Sequence, residues 1–175
     1  MSHTGVTSLP ANVFVSHNLT NLQRLYVTHS DLAYVDPQAF AGLLNLVEVD
    51  FSANKLHKIP SLSLAPVPSL HTLVLKENKI TVVPNAAFKS LPNLRKIDLS
   101  GCEIAQLEPG SFTGLGALER LYLSDNQLSG VARVEAVLPV VLDLALHGNP
   151  WACDCRAKTL RCFASCDLIN SALKL

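Results

Sequence analysis

The chain has 175 residues, which suits one domain of ordinary size, and 49% of them are hydrophobic while only 16% are charged. This composition provides enough apolar material for a core and excludes a disordered chain. Because 14 basic residues balance 14 acidic ones without a basic run, nothing favours nucleic-acid or anionic membrane binding. The most apolar late stretch, VLPVVLDLALHG, is short and contains Asp143, so we expect no direct membrane insertion by this chain.

A repeated pattern organises the sequence from residue 6 to residue 150. Residues 6–21 resemble the second half of one repeat, and six rows follow at spacings of 24, 24, 24, 24 and 23 residues. Apolar residues occupy row positions 1, 4 and 6, and Asn or a substitute occupies position 9, as in LVEVDFSAN and LERLYLSDN. The six rows begin at Leu22, Leu46, Leu70, Leu94, Leu118 and Val141.

The start of each row predicts a short strand with one buried face, because apolar positions 4 and 6 alternate with polar positions 3, 5 and 7. One such strand cannot bury its apolar side alone, so the rows must stack in parallel. The asparagines at position 9 are expected to satisfy backbone groups where the chain turns. They are Asn54, Asn78, Asn126 and Asn149. The return half adds core residues, among them Phe40, Phe88 and Phe112 at position 19.

The pattern LxxLxLxxNxLxxLxxxxFxxL resembles the 24-residue leucine-rich repeats of extracellular proteins. The resemblance implies an α/β horseshoe-shaped solenoid with a parallel concave sheet and an irregular or short-helical convex side. We assign residues 1–148 to the repeats and expect the chain to be a fragment of a longer protein, since its first repeat lacks a front half and a cap.

Residues 149–175 begin with NPWACDCRAKTLRCF, which resembles the cysteine-rich C-terminal cap of the same proteins. The resemblance implies a small helical cap, truncated here, in which Trp151 seals the last coil and the cysteines form disulfides. Four cysteines allow three pairings, and we prefer one between Cys153 and Cys166. The remaining pair is Cys155 and Cys162, of which Cys155 is alternatively left open by truncation. A zinc site using all four thiols is a further alternative.

Cys102 stands apart from the cap, because it replaces the asparagine at position 9 of its own row. We predict a buried free thiol there, since unpaired cysteine commonly packs as a small hydrophobic residue.

The resemblance also implies a site, because in such horseshoes the side chains at positions 3, 5, 7 and 8 line the concave surface. Mixed charges together with tyrosines suit a polar protein partner, such as a ligand or co-receptor. The alternative is a solvated strand face without a partner. Tyr26, Tyr122 and Arg120 are the strongest candidates. The predicted partner-binding residues are Arg24, Tyr26, Glu48, Asp50, Lys96, Asp98, Arg120 and Tyr122.

Sequence motifs give no sign of catalysis: the six histidines form no H-E-x-x-H pattern, and neither a Gly-rich phosphate loop nor a G-x-S-x-G turn occurs. We therefore predict a binding protein that is not an enzyme, with no cofactor and no metal. An enzyme would need catalytic groups beyond this chain.

The repeat type together with the NPWACDC cap is similar to cell-surface receptors and adhesion proteins of the Kekkon, Toll-like and Slit kinds. It implies an extracellular or cell-surface setting, in which Asn18 of the NLT motif is a candidate glycosylation site. The alternative function is an intracellular scaffold or regulatory subunit with reduced or zinc-bound C-terminal cysteines.

Overall fold

A computed structural model describes residues 5–129 and 137–151 of the chain. Six parallel strands form its main sheet, each at row positions 3 to 5 as the alternation predicts. The strands are β2 (Arg24–Tyr26), β4 (Glu48–Asp50), β5 (Thr72–Val74), β7 (Lys96–Asp98), β9 (Arg120–Tyr122) and β10 (Asp143–Ala145). In spatial order the sheet runs β10-β9-β7-β5-β4-β2.

Strand register follows the repeat spacing, so equivalent row positions lie side by side. Arg24 pairs with Glu48, and Lys96 pairs with Arg120. Backbone hydrogen bonds continue past the strands, as from the Val27 N–H to the Asp50 carbonyl at 2.9 Å. Positions 4 and 6 are buried in the central rows, and most of the core lies between the sheet and the return half. This stacking confirms the predicted parallel solenoid.

The asparagines at row position 9 connect each coil to the one before it. The Asn126 side-chain oxygen accepts a hydrogen bond from the Ile104 N–H at 3.0 Å. Its amide nitrogen donates to the Leu99 carbonyl at 2.9 Å, and to the Leu123 and Ser124 carbonyls at 3.1 Å each. Asn54, Asn78 and Asn149 make the equivalent bonds. We call these four residues the asparagine ladder; their predicted role at the turn is confirmed.

Cys102 occupies the equivalent position in its row and is a buried free thiol, as predicted. Its Sγ donates to the Leu75 carbonyl at 3.3 Å. Burial raises the pKa of the thiol to about 11. The thiol therefore remains protonated and unreactive at neutral pH.

A left-handed backbone residue at row position 8 precedes each of these turns, with φ between 50° and 70° in all six rows. Only Gly101 and Gly148 are glycines there; the other four are His29, Ala53, Glu77 and Asp125. The turn therefore imposes this conformation on residues that ordinarily avoid it.

The return half contains short elements that the sequence analysis did not predict as strands. Four two-residue strands lie there: β1 (Ser8–Leu9), β3 (Tyr34–Val35), β6 (Val82–Val83) and β8 (Gln106–Leu107). They form two small parallel sheets, in which β1 pairs with β3 and β6 pairs with β8. A 3₁₀ helix covers Val15–His17, and a short α-helix, α1, covers Ser61–Leu64. These elements fit the irregular or short-helical convex side that the resemblance implies.

Phenylalanines form two stacks in the core. Phe40 lies between Phe14 and Phe51, with ring centroids 6.0 and 6.2 Å away, and Phe88 stacks on Phe112 at 5.9 Å. Leu64 takes the equivalent place between the two stacks and is fully buried. Small apolar side chains therefore continue the core where the aromatic repeat is interrupted.

Trp151 closes the described part of the last coil. Its indole N–H donates to the Leu146 carbonyl at 3.1 Å, and its ring packs against the core. Trp151 therefore packs at the edge of the last coil, where the resemblance to the cap places it. The predicted disulfide cysteines, Cys153, Cys155, Cys162 and Cys166, and the helical cap lie outside the described residues. Within the described ranges, no helix has the length and apolarity needed to cross a membrane.

Candidate protein-binding surface on the sheet

Outward-pointing side chains at row positions 3 and 5 of the six strands form one continuous surface, which we call the sheet face. All eight predicted partner-binding residues lie on it. Val74 is 9% exposed and, with Thr72, forms an uncharged middle row. The middle row divides the sheet face into a half on β2 and β4 and a half on β7, β9 and β10.

The first half is held by an ion pair between neighbouring strands. The Arg24 Nε lies 3.5 Å from a Glu48 carboxylate oxygen. Tyr26 is 41% exposed. The pKa of its hydroxyl is raised, mainly by partial desolvation and secondly by a hydrogen bond to Glu48. Glu48 therefore interacts with both predicted partner-binding residues of β2.

The aspartates at row position 5 also stabilise the turn that follows their strands. The Asp50 carboxylate accepts hydrogen bonds from the Ser52 N–H at 2.8 Å and from the Ser52 hydroxyl. The Asp98 carboxylate accepts from the Ser100 N–H at 3.1 Å. Both aspartates were predicted only as partner-binding residues, although the Asp-x-Ser spacing is itself a turn signal. Both aspartates remain partly exposed.

Tyr122 organises the second half of the sheet face. Its hydroxyl donates to an Asp143 carboxylate oxygen at 2.7 Å, and this bond, together with desolvation, raises the pKa of the phenol. The Lys96 Nζ lies 5.3 Å from the centroid of the Tyr122 ring, within the range of a cation–π contact. The prediction omitted Asp143 from the site. The register could have revealed it, because Asp143 lies at position 3 of the next row.

Arg120 lies between Lys96 and Asp143 in the register of the sheet. Its side chain is exposed, and it forms no ion pair with any residue in the described ranges. Arg120 and Lys96 thus bring two positive charges side by side on adjacent strands.

Asn18 lies away from the sheet face, at the end of the 3₁₀ helix. It is exposed and has a left-handed backbone with φ of 58°. Leu19 and Thr20 of the same motif are also exposed, so the described surface leaves the side-chain amide accessible. Across the part of the chain that the structure describes, no three His, Cys, Asp or Glu side chains cluster as metal ligands.

Comparison with known proteins identifies the architecture. A leucine rich repeat family model matches residues 68–128. The fold is a leucine-rich-repeat solenoid. Among 286 matching chains of solved structures, one from the crystal structure of the LRIM1/APL1C complex has a TM-score of 0.73 and 23% sequence identity. The match covers 85% of this chain and 27% of that one, so this chain spans about a quarter of its length. No curated protein matches the sequence.

Proposed function

We propose that this chain is a protein-binding module of a cell-surface or secreted leucine-rich-repeat protein. It recognises a protein ligand or co-receptor through the sheet face, and it has no catalytic role. One observation carries the proposal: the interior of the solenoid repeats from row to row, while the solvent-facing side chains of the same strands differ in charge, size and polarity. Such a pattern provides a rigid surface with a specific arrangement of side chains.

The arrangement of the sheet face supports recognition of another protein. Tyr26 and Tyr122 each lie beside charged side chains that limit their movement, which lowers the entropy lost on binding. Tyr and Arg are also the side chains most often found at the energetic centre of protein interfaces. The similar solved chain comes from the LRIM1/APL1C complex, which is consistent with a protein-binding function.

A binding experiment with the secreted chain tests the role of the sheet face. The chain, produced in a secretory host, would be screened against an array of purified receptor ectodomains, with affinities measured by surface plasmon resonance. Alanine at both Tyr122 and Arg120 should weaken a specific interaction at least about tenfold. The matched control changes Lys79 and Lys89, two exposed residues outside the sheet face, and should leave the affinity unchanged. Equal effects of the two double variants would contradict this assignment.

The disulfide content and the glycosylation of the chain test the proposed extracellular setting. Intact mass before and after alkylation should show two disulfides and one free thiol, with Cys102 as the free thiol. Glycosidase treatment should reduce the mass of the secreted chain, and Asn18→Gln should abolish that shift. Five free thiols or bound zinc would instead favour an intracellular scaffold.

A further inference from the structure

Charged side chains in neighbouring rows are mostly complementary. Besides Arg24 with Glu48, the Arg95 Nη1 lies 2.6 Å from a Glu119 carboxylate oxygen, and the Lys55 Nζ lies 2.8 Å from an Asp31 oxygen. Opposite charges side by side stabilise stacked strands, and like charges destabilise them. Lys96 and Arg120 depart from this arrangement, because two cations occupy registered positions on adjacent strands.

The register places Asp98 and Asp143 beside this pair, but both carboxylates form hydrogen bonds with other groups. The Asp143 carboxylate accepts the Tyr122 hydroxyl, and the Asp98 carboxylate accepts the Ser100 N–H. Within residues 5–129 and 137–151, neither Lys96 nor Arg120 forms an ion pair. Lys96 instead lies over the Tyr122 ring, so the two cations and the tyrosine form one site, which we call the cation pair.

Resting on the proposed function, we propose that the cation pair binds an acidic side chain, Asp or Glu, of the protein partner. Adjacent strands lie about 4.8 Å apart, so one carboxylate can contact the Lys96 ammonium and the Arg120 guanidinium together. The Tyr122 ring provides an apolar wall for the methylene groups of the same side chain. A partner carboxylate would supply the opposite charge that this position of the sheet lacks.

The surroundings disfavour a long polyanion such as a sulfated polysaccharide. Polyanion binding draws its affinity from many cations along a track, whereas this site has two. Asp143 lies beside Arg120 and Asp98 lies beside Tyr122 in the register of the sheet, so no track of cations continues beyond the cation pair. The site therefore suits a single acidic side chain within an otherwise neutral contact.

The test uses acetylated tetraglutamate amide as a probe, with acetylated tetraglutamine amide as the neutral control. Binding to the full chain is measured by NMR chemical-shift titration at low salt. Tetraglutamate should shift the backbone amides of β7 and β9, and tetraglutamine should not. Lys96→Gln and Arg120→Gln should each weaken tetraglutamate binding about fivefold to tenfold.

Lys79→Gln is the matched control, because it removes one exposed positive charge that lies outside the sheet face. It should change the affinity by less than about twofold. The inference would be overturned by no shift with tetraglutamate, by equal loss in all three variants, or by tighter binding of a heparin hexasaccharide at the same residues. Thermal unfolding of each variant verifies that it is folded. The probe is a peptide and not the partner protein, so the outcome of this titration does not depend on whether the receptor screen finds a partner.

Discussion

Row position 9 and row positions 3 and 5 lie close together in every coil, yet their side chains are held in different ways. The asparagine ladder is buried and makes the same hydrogen bonds in four rows. The sheet face is partly exposed, and its contacts differ between its two halves. Stability should therefore depend on the ladder, while binding specificity should depend on the sheet face.

Removing one ladder amide gives the largest expected effect. Asn126→Ala leaves the buried Ile104 N–H without its acceptor and three carbonyls without a shared donor. We expect the free energy of unfolding to fall by about 3 kcal/mol, measured by chemical denaturation. Asn93→Ala is the control, since the Asn93 amide makes one exposed bond to the Pro68 carbonyl and should cost below about 1 kcal/mol. Similar losses in both variants would remove the distinction between the ladder and the surface.

Placing an asparagine in the row that carries Cys102 should raise the stability of the fold instead of lowering it. Cys102→Asn would place an amide where the neighbouring rows carry one, within reach of the Leu75 carbonyl and the Ile80 N–H. We expect the free energy of unfolding to rise by about 1 kcal/mol. Cys102→Ala should lower it, because Ala offers neither donor nor acceptor. A loss of stability in Cys102→Asn would show that this coil is adapted to the thiol.

The Cys102 thiol also predicts a dependence on pH. Folding raises its pKa from 9.0 to about 11, so the contribution of the protonated thiol is complete below pH 9 and is lost as pH rises toward 11. At pH 10 the wild-type chain should lose about 1 kcal/mol more stability, relative to pH 7, than Cys102→Ala loses. Urea denaturation of both chains at the two pH values measures this difference. Parallel losses would mean that Cys102 does not control the alkaline transition.

The smallest effect on stability is expected on the sheet face. Arg24→Ala breaks an exposed ion pair and should change the free energy of unfolding by at most about 0.5 kcal/mol. Thermal unfolding at low and high salt provides the measurement. A loss well above about 1 kcal/mol would mean that the first half of the sheet face serves the fold more than binding.

Much of the fold could be predicted because its main determinants repeat in the sequence. The spacing of leucines gave the register of all six strands, and Asn54 and Asn126 indicated the turn. The return half was less predictable, because two-residue strands such as Val82–Val83 carry no alternation. Ser63 and Ser111 are further examples, because each hydroxyl donates to a carbonyl of the previous row, at 3.1 and 2.8 Å. The rows beginning at Leu22 and Leu70 carry alanine at the same position.

The candidate site was predicted as a set of positions but not as a set of contacts. Equal row positions place Arg24 beside Glu48, and the sequence contains that relation. The direction that each long side chain takes is set by rotamers and local competitors. Asp50, for example, bonds to Ser52 in its own turn. The pairing of Tyr122 with Asp143 likewise depends on which neighbours compete for each group.

The ladder bonds also have a direction along the chain. Each asparagine reaches back to backbone groups of the preceding row, as Asn78 does to the Leu56 N–H and the Phe51 carbonyl. A coil is therefore complete only after the asparagine of the next coil is in place. During synthesis from the N-terminus, each coil can close once about one further row has left the ribosome, so that folding follows translation row by row.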